Sequence, residues 1–391
     1  MRIILKKCII ILVIILLVLI GILIYRKNKE QIQIDIVNNN IFNDIKAELN
    51  GYTVMNDIMA QAGLVSNSCG PSGILSDVMG KRNIDSNKYF IPCTYDSCEV
   101  DSKKFEHTDR NLFLIDGCDT LASKVTLWNT VKEYYGDEAT KYMPRTFILN
   151  RDTDFVEHFN NNKIKRNDQM YVLKNYEQRQ QGIKLSRDLD EIEDGYNDGW
   201  FLVQDYIYDP YIIDKRKINF RYYLLIVCNK NSNKIDAYLH TDGFLYYTPD
   251  YYDDNDMSFD KHITTGYIDR AVYEKNPLTL QDFRDHLNNK QSGLSDKWDY
   301  SAINLMSKIV KALSTKICKN DKLIGTLRFQ LFGCDLAPDS NLGCKLMEIN
   351  KGPDMGAKDV RDTKVKTKVQ DDVFSIIEDN KIDNTNFIKI Y

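Results

Sequence analysis

Apolar and polar positions alternate in short runs bounded by Gly, Pro, Asn and Asp, and only a few windows carry helical spacing. Residues 111–116, 143–149, 170–174, 183–185, 201–207 and 217–227 predict strands, and 239–247 predicts a hairpin arm. Helical spacing runs over 121–135, through Leu121, Val125, Trp128 and Val131, and over 303–317, through Ile303, Met306, Ile309, Val310, Leu313 and Ile317. Shorter helices are predicted over 155–159, 187–193 and 282–289, with a last one around Val373, Ile376 and Ile377. Near the C-terminus, Phe329-Gln-Leu-Phe-Gly-Cys-Asp335 and Lys345-Leu-Met-Glu-Ile-Asn350 read as two strands joined by the turn Pro338-Asp-Ser-Asn-Leu-Gly343. Strands and helices interleave without a fixed repeat, which predicts an α+β protein.

The N-terminus departs from this pattern. Residues 8–25 are uncharged and almost wholly Ile, Leu and Val, long enough to span a bilayer, and end at Ile24-Tyr-Arg-Lys27 without a small-residue cleavage site. The expectation is a single-pass transmembrane anchor over 1–26 and a polar stalk over 27–50. Beyond them come a small α/β domain over 51–142, a central lobe over 143–207 and a C-terminal lobe over 208–391. Arg2, Lys6 and Lys7 balance Arg26, Lys27 and Lys29, so charge sets no orientation. The chain has no Asn-x-Ser/Thr site, and a body this large needs no disulfides, which favours a body facing the cytosol. A net charge of −4 gives no electrostatic reason to expect a nucleic-acid partner.

On the second C-terminal strand Glu348 and Asn350 are two apart and share a face, and a hairpin brings Asp335 to them. Two carboxylates and an amide oxygen are hard ligands that suit Mg²⁺. Taken alone, the pattern is more commonly a solvated hairpin face. The rest of the chain changes the weighting. Lys174 ends an apolar strand and opens a loop closing on Gly182, while Lys217 and Arg221, four apart on one strand, share a face with Asn219. Cations opposite carboxylates are what a triphosphate with Mg²⁺ requires. Phe201-Leu-Val-Gln-Asp-Tyr-Ile207 offers backbone groups between apolar side chains to an adenine edge. Singly, Lys174, Lys217 and Arg221 also read as surface charges, and Arg179 reads as a surface residue.

In this order the blocks resemble the tubulin–tyrosine ligase family, amino-acid ligases of ATP-grasp fold. The landmarks are Met143-Pro-Arg-Thr-Phe-Ile-Leu149, Tyr171-Val-Leu-Lys174, Gln204-Asp-Tyr-Ile207, Asp214-Lys-Arg-Lys-Ile-Asn-Phe-Arg221, Lys261-His-Ile-Thr264, Phe329-Gln-Leu-Phe-Gly-Cys-Asp335 and Met347-Glu-Ile-Asn350. The resemblance implies two α+β lobes holding ATP. Lys174 is implied at the α/β-phosphates, Gln204, Asp205, Tyr206 and Ile207 along adenine, and His262 near the nucleotide. Lys217 and Arg221 are the implied catalytic cations, and Asp335, Glu348 and Asn350 the Mg²⁺ ligands. The implied reaction adds an amino acid to a protein acceptor, tubulin or another protein tail, through an acyl-phosphate. Charge neutralisation and positioning carry it rather than a protein nucleophile.

Several positions depart from the family pattern. Asn175-Tyr-Glu-Gln-Arg-Gln-Gln follows Lys174 in place of a Pro/Ser/Gly/Arg-rich loop, Asp205 replaces a lysine, and Thr265 replaces an asparagine. Tyr246 stands where the family has an arginine expected to hold the incoming amino acid, and Lys351-Gly-Pro-Asp354 replaces Thr-Ser-Pro-Ser. These departures keep open an ATP-binding scaffold without ligase activity, and the fold leaves room for an ATP-grasp phosphotransferase.

Overall fold

The computed structural model describes residues 70–92, 110–166, 168–175 and 182–391. The expected anchor and stalk therefore lie outside the described residues, as does Arg179. Strands β1 (Tyr89–Phe90) and β2 (Asn111–Leu112) precede helices α1, α2 and α3 only in part: α1 is Gly73–Lys81, α2 Cys118–Ala122 and α3 Lys124–Tyr135. Next come β3 (Thr146–Ile148), α4 (Phe155–Lys165), β4 (Tyr171–Lys174), β5 (Ile183–Ser186) and β6 (Leu202–Asp205). The remaining strands are β7 (Ile212–Ile213), β8 (Arg216–Cys228), β9 (Ile235–His240), β10 (Phe244–Tyr247), β11 (Arg328–Pro338), β12 (Cys344–Asn350) and β13 (Phe387–Lys389). Helices α5 (Leu280–Lys290), α6 (Leu294–Leu313) and α7 (Val360–Ile377) complete the elements used below.

Two sheets organise the chain, and the architecture is mixed α+β. The smaller has the order β3-β6-β4-β5; the larger has nine strands along β1-β2-β11-β8-β9-β13, with β7 and β10 on β8 and β12 on β11. In the smaller sheet Tyr171, Leu173 and Val203 alternate with Val172, Lys174 and Gln204. The first set packs with Phe147, Phe155 and Phe159 into one cluster, the last two residues supplied by α4. The opposite face carries Met170, Val172, Leu185 and Tyr206, packed against Tyr252, Met257 and Ile263.

The same alternation governs β8. Phe220 lies 4.8 Å from Phe283 of α5 and 4.4 Å from Trp298 of α6, ring centre to ring centre. Trp298 Nε1 donates to Tyr222 Oη at 2.9 Å, so the polar end of that buried ring is satisfied. With Phe220 and Tyr222 turned into this core, Lys217, Asn219 and Arg221 take the other face.

Three expected elements differ in a physically readable way. The helix over 121–135 is two helices, because Ser123 leaves the helical conformation and its hydroxyl accepts from Thr126 N to cap α3. Helix α6 begins nine residues before Ile303, using Trp298 and Ala302 as further core positions. It ends at Leu313, since Ile317 lies in the turn packed on Gly117, where a Cβ would sit 2.6 Å from Lys316 O. The arm over 239–247 is broken into β9 and β10, which pair with successive halves of β8.

Single-pass membrane localisation with a cytosolic body is corrected. Among the described residues no helix is long and apolar enough to cross a membrane. Cys228 and Cys318, 90 residues apart, also form a disulfide. The expectation that a body this large forms no disulfides is thus corrected as well.

Candidate functional site

The C-terminal hairpin sets the acidic side of the site. Asp335 pairs in register with Glu348, Gly333 with Asn350, and on the other side of β11 Asp335 is opposite Arg221. Directly opposed residues share a face, so these side chains gather beside Lys217 and Asn219. Arg221 donates to Asp335 through Nε at 2.5 Å and Nη2 at 2.9 Å, a bidentate pair whose side chains are 13% and 14% exposed. Asn350 Nδ2 donates to Glu348 Oε1 at 3.3 Å. A Cβ on Gly333 would meet Arg221 Cδ at 3.0 Å, and one on Gly243 would sit 2.1 Å from Arg221 O. Glycine at both positions lets this strand and its guanidinium lie close to their neighbours.

Burial shapes the electrostatics. It pushes the Asp335 carboxyl up to about 6 despite Arg221 beside it, with Glu348 adding in the same direction. Burial also opposes ionisation of Glu348, yet the charge of Lys174, with Asp335, Arg221 and Asn350, holds that carboxyl below its usual range. Lys174, 6% exposed, is brought down to about 8 by burial, with Glu348 opposing the change.

Lys174 reaches this cluster from the smaller sheet. It lines one narrow recess with Gln204, Met347 and Glu348, joined by Lys124 and Leu127 of α3. Gln204 is 4% exposed; its Nε2 donates to Thr146 Oγ1 at 2.8 Å, and its Oε1 is buried with no partner among the described residues. Asn219 Oδ1 is likewise buried and unpartnered. Buried acceptors of this kind are costly unless a donor arrives.

A larger recess of about 570 Å³ opens where Asp205, Tyr206, Ile207 and Tyr208 meet Ala337 and Lys345. That volume is typical of small-molecule sites, about 300–1,000 Å³. Residues 205–207 border it, and the Asp205 carboxylate lies 2.7 Å from His158 Nε2 of α4.

Lys217 is 7% exposed, and its Nζ donates to Tyr206 Oη at 3.1 Å while lying 4.3 Å from that ring's centre. Burial lowers it to about 7. His262 is 1% exposed: its Nδ1 lies 2.8 Å from Tyr206 Oη and its Nε2 2.5 Å from Asp256 O. So Lys174, Arg221, Asp335, Glu348, Asn350 and Gln204 converge, while Lys217, four residues from Arg221 on the same face of β8, is held by Tyr206 with His262 behind it.

A model of the tubulin-tyrosine ligase family matches residues 101–384. The chain belongs to this family. A probable tubulin polyglutamylase of Homo sapiens is 26% identical over 271 residues, covering 65% of this chain and 43% of that protein. A probable tubulin polyglutamylase of Caenorhabditis elegans is 22% identical over 315 residues, covering 73% of this chain and 71% of that one. The tubulin glycylase 3B of Drosophila melanogaster is 22% identical over 225 residues, covering 54% and 29%. The chain thus spans less than half the length of the human relative.

Sequence reasoning missed Lys124 in this family member. It is the first residue of α3, donates to Asn175 O at 2.9 Å, and acts on Glu348 from the recess shared with Lys174. A signal existed: a lysine at a helix start opposes the helix dipole, a place where acidic residues are favoured. At Tyr246, the guanidinium of Arg221 lies 5.4 Å from the ring centre, and the tyrosine pairs across the strands with Asn219.

Proposed function

We propose that the chain is an ATP-dependent carboxylate–amine ligase of ATP-grasp architecture, attaching an amino acid to a protein acceptor through an acyl-phosphate. The observation that carries it is the meeting of Lys174 from one sheet with Arg221, Asp335, Glu348 and Asn350 from the other. The acceptor class follows from relatives named as tubulin polyglutamylases and a tubulin glycylase. Tubulin or another protein tail is therefore the proposed substrate.

The residues fit Mg-ATP. Asp335, Glu348 and Asn350 form an all-oxygen donor set suited to Mg²⁺, and the orphaned Gln204 Oε1 and Asn219 Oδ1 await donors. Bound there, Mg²⁺ would neutralise phosphate oxygens and so make the terminal phosphorus open to attack. Lys174 and Lys124 would supply ammonium donors to phosphate oxygens, and Arg221, fixed by Asp335, would present its remaining N–H groups to the acyl-phosphate. The 205–207 backbone would read the adenine edge. In the proposed sequence a carboxylate oxygen of the acceptor bonds to the γ-phosphorus as ADP leaves. The amine nitrogen then bonds to the acyl carbon as phosphate leaves and the amine gives up a proton.

One observation favours a second reading. Tyr246 places a phenol rather than a cation beside Arg221, whose Nε and Nη2 are already engaged by Asp335. That arrangement suits an ATP-binding scaffold. Intact-mass analysis of tubulin and of lysate acceptors, after incubation with Mg-ATP and an amino-acid pool, separates the two. A mass increment lost in Glu348→Gln supports the ligase; Mg-ATP binding without any increment supports the scaffold.

A further inference from the structure

The geometry points to Tyr206 and His262 as a positioning pair that holds the Lys217 ammonium in the site, with His262 making no contact with the nucleotide. This deepens the proposed function and rests on Lys217 being a phosphate-side cation.

The hydrogen-bond roles follow from what each atom can do. Asp256 O can only accept, so the proton on His262 is at Nε2. Burial, with Lys217 adding repulsion, lowers the affinity of this ring for a second proton. A neutral ring leaves Nδ1 as an acceptor, so Tyr206 Oη donates to it. That fixes the hydroxyl lone pairs toward Lys217, whose Nζ donates to the same oxygen. The nearby Tyr252 hydroxyl donates to Asp254 Oδ1 and is itself in hydrogen-bond contact with Tyr206 as an acceptor, alongside His262 Nδ1. The chain of bonds therefore runs one way, from ammonium to phenol to imidazole to backbone carbonyl.

Burial leaves this arrangement few alternatives. Lys217, Tyr206 and His262 are 7%, 5% and 1% exposed. The ammonium gains no carboxylate hydrogen bond; Asp254 acts on it only at a distance. Both ring nitrogens of His262 are already used, one by Tyr206 and one by Asp256. Nothing on the imidazole remains to read a ribose or a base. Its effect on a ligand must pass through Tyr206 and Lys217.

The test uses the full chain in two arms. In the first, Mg-ATP affinity is measured by titration calorimetry for His262→Leu, His262→Gln, Tyr206→Phe, Lys217→Met and the double variant Lys217→Met/His262→Leu. His262→Leu is expected to weaken binding at least fivefold. His262→Gln, whose amide keeps one acceptor and one donor, should restore it to within about twofold of wild type, and His262→Leu should add nothing in the Lys217→Met background. Full additivity of the two substitutions would mean that His262 touches the nucleotide, and the inference fails. The second arm needs no nucleotide: acetic anhydride labelling of Lys217, read by peptide mass mapping. His262→Leu and Tyr206→Phe should raise acylation of Lys217 several-fold over wild type, with surface lysines such as Lys141 unchanged. Unchanged labelling refutes the positioning role. Raised labelling in the variants, together with a wild-type chain that does not bind Mg-ATP, would leave the bond chain standing and refute the nucleotide site instead.

Discussion

Replacing Lys217 with methionine should make the ligand-free protein more stable and reduce its stabilisation by Mg-ATP. The magnitude comes from the proton. Folded, the Lys217 ammonium titrates near 7, against 10.5 for an ordinary lysine, with burial as the cause. At about 1.4 kcal/mol per pH unit, that gap corresponds to roughly 5 kcal/mol of penalty for folding with the charge in place. The sign is set by the direction: the folded value is depressed, so the penalty is absent above the unfolded value, grows as pH falls, and levels off below about 7. Relaxation around the buried charge reduces the net gain to about 1–4 kcal/mol, as in replacements of buried charges by apolar groups. Tyr206 keeps its bond to His262, so the substitution orphans no donor. Urea unfolding at pH 7 and pH 10, with and without Mg-ATP, measures it. The variant should exceed wild type at pH 7, the difference should shrink by pH 10, and ligand should stabilise wild type more than the variant. A variant less stable than wild type at pH 7, or a gap widening with pH, would refute the reasoning.

Other outcomes follow from single contacts. Glu348→Gln should cut amide formation at least about 100-fold, on the scale of losing one electrostatic group at a reacting centre, as read by intact mass of the acceptor. Gly243→Ala drives a Cβ to 2.1 Å from Arg221 O and should cost about 1–3 kcal/mol in thermal unfolding, displacing β10 from β8. Cys228→Ser with Cys318→Ser removes a cross-link spanning 90 residues. The chain-entropy estimate for that loop is about 4–5 kcal/mol, checked by urea unfolding under non-reducing conditions. Asp372 resists burial to stay below the usual carboxylate range, through His240, Lys368 and the Asn386 amide. Its contribution is present above the ordinary carboxylate value and lost as pH falls through its own; Asp372→Asn should flatten that acid limb.

Alternation along β8, β11 and β12 is what made the site legible in the sequence. A period of two needs no tertiary information to put Lys217 with Arg221, or Glu348 with Asn350, on one face. Pairing those strands then adds only a register, and the turn at 338–343 restricts it. Lys174 was legible as a cation ending an apolar run. The same rule requires the side chains of Gln204 and Asp205, adjacent on β6, to part. One consequence is the Asp205–His158 contact on the α4 side.

What the sequence could not disclose depends on contacts between segments far apart in the chain. Helix α3 presents Lys124 to Glu348, separated by more than two hundred residues, and no local pattern encodes that meeting. His262 carried the same difficulty in reverse. A histidine in a motif beside a nucleotide site invites a direct role, but its environment is set by Tyr206, just past the end of β6, and by the turn at Asp256. Both of its nitrogens are consumed by those partners. Strand period reveals which residues can face a cleft; only the packed structure reveals which of them still have a bond to offer when they get there.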